Sequence, residues 1–307
     1  MKRIALLLML ALLTAANIHA QKMTDTEWST GAWFLFFNSE DGNKIVFSVG
    51  TGHEGGPNLV IKRVTNGVFE NVSGSDAFPE ISKLKLVKYN CAKRGTTNAL
   101  YCENSKGEVS HVFLESDDSF IENNFCEVLE GYYKGSDGKE YVFAEHTLSI
   151  DGESAEYEPL ACEMGYTNGF KYKGKRYCFK ISENGVNLYT TKSDDDGADY
   201  EPDRLWVKLT SNQEALGGRW VLLKDNVVTE FYLGYYDKKL LRLMRNEIYA
   251  RHGYKFASAD LTAYFSKMGW YKPVSDNSKV KLSDIEQLNV SLIKLAEDLD
   301  WHPDIEK

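Results

Sequence analysis

Asp-Gly and Asn-Gly pairs punctuate the first two thirds of the chain, among them Asp41-Gly42, Asn66-Gly67, Asp137-Gly138, Asp151-Gly152, Asn168-Gly169 and Asn184-Gly185. Each offers two successive residues that tolerate positive φ, which is what a two-residue turn between antiparallel strands requires. The runs they separate are short and rich in aromatic and β-branched residues: Trp33–Phe37, Lys44–Val49, Asn58–Arg63, Lys83–Tyr89, Val109–Leu114, Tyr141–Ala144, Arg176–Ile181 and Val186–Thr191. Run and turn in alternation predict consecutive hairpins, so this portion is confined to antiparallel β structure.

The order of these signals recurs. Gly31-Ala32-Trp33 leads to Asp41-Gly42 and Val46-Phe47, and Gly131-Tyr132-Tyr133 leads to Asp137-Gly138 and Val142-Phe143. Tyr101-Cys102 precedes Ser105-Lys106-Gly107 as Tyr177-Cys178 precedes Ser182-Glu183-Asn184-Gly185. A β module used twice, with an added excursion around Gly50–Pro79 in the first copy, accounts for this; convergent hairpin chemistry accounts for it nearly as well. The expected organisation is residues 1–20 as a leader, 21–127 and 128–210 as β-rich modules, and 211–307 as a helical domain. A strand pair, Trp220–Leu223 with Val227–Leu233, is expected to open that last domain. The fold class is then α+β and multidomain.

Helical periodicity begins near Leu240. At about 100° per residue Leu241, Met244 and Ile248 line one stripe of a helix that Asp237 can cap. Arg251 and His252 fall in its last turn, where positive charge complements the helix dipole, and Gly253 takes the left-handed position beyond. Arg251 lies at the edge of the apolar stripe, four residues after Glu247. Exposed, that pair contributes about 0.2–0.5 kcal/mol; half-buried, its disruption costs roughly 3–5 kcal/mol and it fixes how the helix docks. Arg242, Arg245, Tyr249 and His252 share another flank, as a donor-rich edge. A second helix is expected from Ser258 or Ala259 to Gly269, broken by Trp270-Tyr271-Lys272-Pro273. Ser283 and Glu286 form a capping box ahead of a third, with Ile285, Leu288, Leu292, Leu295 and Leu299 on its apolar side.

Leu241-Arg242, Arg245-Asn246-Glu247-Ile248-Tyr249-Ala250-Arg251-His252-Gly253, Phe256, Leu261, Tyr264-Phe265, Trp270-Tyr271 and Pro273 together resemble the recurrent positions of the YARHG domain family, a bacterial extracellular module. Leu282-Ser283, Glu286, Asn289 and Ile293 fit its closing helix. The resemblance covers about 70 residues and implies a three-helix domain in an envelope or extracellular protein, with no settled activity.

The first twenty residues, MKRIALLLMLALLTAANIHA, combine two basic residues, an apolar run short for a membrane span and small residues up to Ala20. They read as a secretory signal cleaved after Ala20. The expected localisation is therefore secreted or periplasmic, with no membrane span in the mature chain. The net charge of −9 argues against general nucleic-acid affinity. It is also uneven: Lys and Arg number 24 against 34 Asp and Glu before Tyr235, and 12 against 11 from there on. All five cysteines lie in the acidic portion. Cys91 with Cys102 and Cys162 with Cys178 are the expected disulfides, each closing a loop for roughly 2–4 kcal/mol. Cys126 is left as a buried thiol, a free thiol or an alternative partner.

No cysteine or histidine spacing marks a metal site, and no cofactor fingerprint is present. The glycine-rich Gly50–Pro57 lacks a Gly-Lys-Ser/Thr ending and reads as a hairpin connection. Asp194–Glu201 reads as a solvated acidic turn, because a twelve-residue calcium loop would put Lys192 where the first carboxylate is needed. The candidate binding residues are Arg242, Arg245, Tyr249, Arg251, His252, Trp270 and Tyr271, with Glu247 and Arg251 as a structural ion pair. They either hold the helical domain together or face an anionic or sugar-like ligand. The functional expectation is non-catalytic binding or scaffolding of an envelope polymer or another envelope protein. A hydrolase using His252 as general base, with Glu247 and Tyr249 nearby, is one alternative. A β-barrel carrier of a small apolar ligand is another.

Overall fold

The computed structural model describes residues 28–29, 34–50, 56–65, 67–72, 78–93, 95–115, 126–160, 168–192 and 200–299. The expected leader, Thr51–Gly55, Cys162 and Asp194–Asp199 lie outside them. The chain divides into two compact units, residues 1–117 and 118–307.

The first unit is a closed, eight-stranded antiparallel barrel in which each strand pairs with the next in sequence. Its strands are β1 Trp28–Ser29, β2 Phe34–Asp41, β3 Lys44–Gly50, β4 Asn58–Thr65, β5 Val68–Asn71, β6 Lys83–Cys91, β7 Gly95–Glu103 and β8 Val109–Glu115. Closure falls to β1, where Trp28 stands opposite Leu35 on one side and Glu115 on the other. An eight-stranded barrel has an interior that side chains can fill. Here Trp28, Leu35, Ile45, Phe47, Val49, Leu59, Ile61, Phe69, Leu84, Leu100 and Phe113 fill it, all almost wholly buried.

The second unit opens with another closed barrel of the same meander. Its strands are β9 Gly131–Gly135, β10 Glu140–Ala144, β11 Thr147–Ile150, β12 Glu153–Pro159, β13 Gly169–Tyr172, β14 Lys175–Ser182, β15 Gly185–Thr191 and β16 Pro202–Ser211. Here the last strand closes the ring, pairing with both β15 and β9. Helices follow: α1 Gln213–Leu216, a 3-10 turn at Val221–Lys224, α2 Glu230–Gly234, α3 Lys238–Arg251, α4 Ala259–Phe265 and α5 Asp284–Leu299. Among the described residues no helix is long and apolar enough to cross a membrane.

Three expectations change. The strand pair at Trp220–Leu223 and Val227–Leu233 is helical instead: the 3-10 turn occupies the first half and α2, capped by the Thr229 side chain, the second. Asn168-Gly169 is not a tight turn, since Gly169 starts β13 and Asn168 bonds through its side chain to the Tyr200 backbone. The Cys91–Cys102 disulfide is absent, and Cys91, Cys102 and Cys178 are buried free thiols. The β6–β7 ladder explains the first pair: Cys91 faces Gly95 beside the turn, whereas Cys102 faces Leu84 at the far end. Seven residues of strand at about 3.4 Å each separate the two positions, far beyond disulfide reach. The expected Cys162–Cys178 pair involves a residue outside the described ones; burial pushes the Cys178 thiol up to about 11. Cys126 lies 3.8 Å from Nδ1 of His146.

Candidate functional site

The helical module is organised around α3. Asp237 caps it by accepting from the Leu240 amide at 2.8 Å, and Leu241, Met244 and Ile248 are buried as one stripe. Burial extends further round the helix, to Leu240, Leu243, Asn246, Glu247 and Ala250. The helix stops at Gly253, whose φ of 78° is left-handed and where a Cβ would come within 2.5 Å of the Lys272 carbonyl. The Tyr254 amide then returns to the Tyr249 carbonyl at 3.0 Å, closing the helix end.

Glu247 is fully buried. Its two oxygens accept from the Arg219 amide at 3.0 Å and the Trp220 amide at 2.8 Å. Arg251, one turn on, donates from Nη1 to the Trp220 carbonyl at 2.8 Å and stands 3.8 Å from Glu247. The expected Glu247–Arg251 pair is therefore formed, and it brackets both peptide groups of Trp220. Burial pushes the Glu247 carboxyl above its ordinary range, against the opposing pull of Arg251 and the two amides. Gly218 is what lets the chain come this close, since a Cβ there would lie 2.5 Å from the Glu247 carboxylate. Among the described residues, Arg251 Nε and Nη2 are buried without hydrogen-bond partners.

Arg219 carries the connection onward to the second barrel. Its guanidinium donates to the Glu183 carbonyl at 2.6 Å and the Gly185 carbonyl at 3.0 Å, in the β14–β15 turn, and lies over the Trp220 ring at 4.9 Å. Lys239 reaches the Glu183 carboxylate at 2.6 Å, and Tyr235 stacks on Phe179.

The other nominated side chains also have neighbours within the module. Arg242 pairs with Asp260 of α4 at 2.6 Å, which holds that carboxyl well below the usual range. Arg245 pairs with Glu297 of α5 at 2.8 Å, with both side chains largely buried. His252 Nε2 sits 2.8 and 2.9 Å from the two oxygens of Glu286. Glu286 also accepts from the Ser283 amide at 2.9 Å, while Ser283 Oγ accepts from the Glu286 amide at 3.2 Å. The capping box of α5 thus doubles as the seat of the His252 imidazole. Tyr249 packs on Tyr254 with ring centroids 5.5 Å apart. Tyr271 is buried and donates to the Tyr254 carbonyl at 2.8 Å. Trp270 lies edge-on to Phe265, and its buried Nε1 has no hydrogen-bond partner.

The structure thus brings Glu247 and Arg251 together, but turns Arg242 and Arg245 toward acids on two different helices. The carboxylate beside His252 is Glu286, not Glu247. The sequence assigns no role to Arg219, and marks Asn289 only as a position that fits the closing helix of the YARHG family. The Asn289 side chain accepts from the Val228 amide at 2.7 Å and donates to the Leu223 and Asn226 carbonyls at 2.8 Å each. The visible signal for Asn289 was a lone amide within an otherwise apolar helix face; for Arg219 it was a basic residue straight after Gly217-Gly218.

Among the described residues no group of three or more His, Cys, Asp or Glu side chains could hold a metal ion. No curated protein and no solved structure matches the chain significantly. One family model does, and the segment it matches starts at the arginine that ties the helices to the β14–β15 turn: residues 219–298 match the YARHG domain.

Proposed function

We propose that this is an exported envelope protein in which the YARHG domain, clamped to the second barrel, presents a preorganised surface to an envelope polymer or another envelope protein and performs no chemistry of its own. The YARHG domain is typical of extracellular proteins, and the leader-like first twenty residues agree with export. The observation that carries the reading is the internal engagement of the charged residues on α3. Arg242, Arg245, Arg251 and His252 meet Asp260, Glu297, Trp220 and Glu286 respectively. A framework in which these side chains already have internal partners holds its shape before a partner arrives, which lowers the ordering cost of binding.

The test is cosedimentation of the full chain with insoluble cell-wall polymer, alongside crosslinking in intact envelopes. Saturable capture by either route, with no soluble fragments released from the polymer, is the expected result. Failure of both sinks the reading. Fragment release that disappears in His252→Ala replaces it with the hydrolase alternative.

A further inference from the structure

We propose that the end of the second barrel away from the helices is a stacking site for a pyranose ring, so that saccharide recognition resides in the barrel. Strand direction defines this end. β14 runs from Lys175 to Ser182, and its finish meets Arg219 through the turn that follows. Its start lies beside the Lys173-Gly174 turn, and the Asp137-Gly138 and Asp151-Gly152 turns share that end of the meander.

Four aromatic rings gather there. Trp206 lies 4.4 Å from Tyr177, 6.4 Å from Tyr172 and 6.2 Å from Tyr141, centroid to centroid. Tyr141 and Tyr172 are buried, while Tyr177 and Trp206 are half-buried. Trp206 owes its position to a break in register. Leu188 faces Val207 and Tyr189 faces Leu205, so Trp206 has no partner on β15 and forms a bulge. Bulges at barrel rims re-aim one side chain in this way.

The hydroxyls make the second observation. Tyr133 donates to the Leu129 carbonyl at 2.8 Å, Tyr141 to Asp137 at 2.9 Å, and Tyr157 to the Glu145 carbonyl. Tyr172, only 4% exposed, has none among the described residues. A buried hydroxyl left unpaired is disfavoured, and a bound molecule bearing hydroxyls would supply the missing partner.

The shape of the place selects the ligand. Phe143, Tyr157 and Phe170 pack against one another within 6.2 Å beneath it, so an alkyl chain cannot run down the barrel axis. A ligand must lie across the rings. Asp137, Asp151 and Lys173 stand on the surrounding turns, with the Lys173 ammonium 5.4 Å from the Tyr172 ring. An apolar floor inside a polar rim fits a ring with one C–H face and a hydroxylated edge, which is a pyranose.

The proposal is independent of any partner of the helical module, and each can fail alone. Its test titrates the full chain with two probes, the β-1,4-linked tetramer of N-acetylglucosamine and that of glucose, followed by tryptophan fluorescence and calorimetry. At least one tetramer is expected to bind saturably. Trp206→Ala is expected to weaken binding about tenfold, with Trp206→Phe falling between it and the native chain. Tyr172→Phe weakens binding several-fold without lowering the melting temperature. Tyr132→Ala, which removes an exposed ring on the outer face, leaves it unchanged. Trp206→Phe with a native melting curve and Tyr172→Phe keep the test decisive if Trp206→Ala does not fold. Absence of binding by both tetramers overturns the proposal, as does native affinity in Trp206→Phe and Tyr172→Phe together. An anilinonaphthalene sulfonate probe that binds at Trp206 and is displaced by neither tetramer overturns the ligand class.

Discussion

The two barrels share an eight-strand meander whose first and last strands pair, β1 with β8 and β9 with β16, but the strands at these seams differ in length. The Tyr101-Cys102 strand and its turn correspond in order to the Tyr177-Cys178 strand and its turn, which pairs β7 with β14 and β8 with β15. The offset is seven strands, not eight. β1 is two residues long and β16 is ten. The seams themselves are short in both, two residue pairs between β1 and β8 and three between β16 and β9, but β16 is also anchored by a longer ladder to β15, whereas β1 must rely on what its side chains bury. The interiors differ as well: the first is aliphatic and phenylalanine-rich, whereas the second is dominated by tyrosines whose hydroxyls need partners at the barrel ends.

The sharpest way to break this contrast is at the seams. Trp28→Ala is expected to destabilise the first unit by about 3–5 kcal/mol, because Trp28 is the large side chain of β1 and is 1% exposed. Val207→Ala, inside β16, is expected to cost no more than about 3 kcal/mol. Urea unfolding with separate probes for the two units measures both, and equal losses would remove the argument from strand length. Glu247→Ala moves the comparison to the second unit alone. It leaves two amides and Arg251 facing an empty site, at an expected cost of roughly 3–5 kcal/mol, and the transition of the first unit should not move. A shift in both transitions would show that the two units do not unfold independently.

A pair of glycines gives a finer comparison. Gly107 and Gly253 have nearly the same φ, 79° and 78°. A Cβ at Gly107 meets nothing, whereas one at Gly253 meets the Lys272 carbonyl at 2.5 Å. Gly107→Ala should therefore cost only backbone strain, about 1–2 kcal/mol, and Gly253→Ala more than that. Thermal melts of the two variants decide whether the last letter of the motif is kept for its backbone freedom or for the closeness of the 272 peptide.

What the sequence disclosed follows from how strongly each element signals by itself. β3, β4, β6, β8, β10, β14 and β15 contain runs of apolar or β-branched residues and were visible; α3, α4 and the capping box of α5 were visible through caps and 3.6-residue spacing. The strands β12, ESAEYEP, and β16, PDRLWVKLTS, were not, because each turns one side to water and carries charges there. Their strand character comes from neighbours on both sides, which no local window contains. Trp220–Leu223 misled for the converse reason: its composition suits a strand, but Glu247 and Asn289, distant in sequence, take its backbone groups and leave no ladder to join. The Glu247–Arg251 pair could be read from spacing because both residues lie on one helix. Arg219 could not be placed, and Glu286 could be placed in its capping box but not beside His252, since those partners are tertiary.

The smallest expected effect concerns pH and again separates the two units. His111 on β8 packs against Phe78 and Phe113, and burial pulls its imidazole below the ordinary histidine range, with Glu80 at 3.5 Å opposing. The unfolded chain takes up this proton near pH 6.5, whereas the folded barrel resists it until lower pH. Between those points the unfolded state binds more protons, so stability of the first unit falls as pH drops below about 6.5 and levels off once the folded form is protonated too. Unfolding free energies measured from about pH 7 to 5 should show this slope in the first unit and lose it in His111→Gln. A slope that persists in the variant would assign the pH response to groups other than the imidazole stacked beside Phe113.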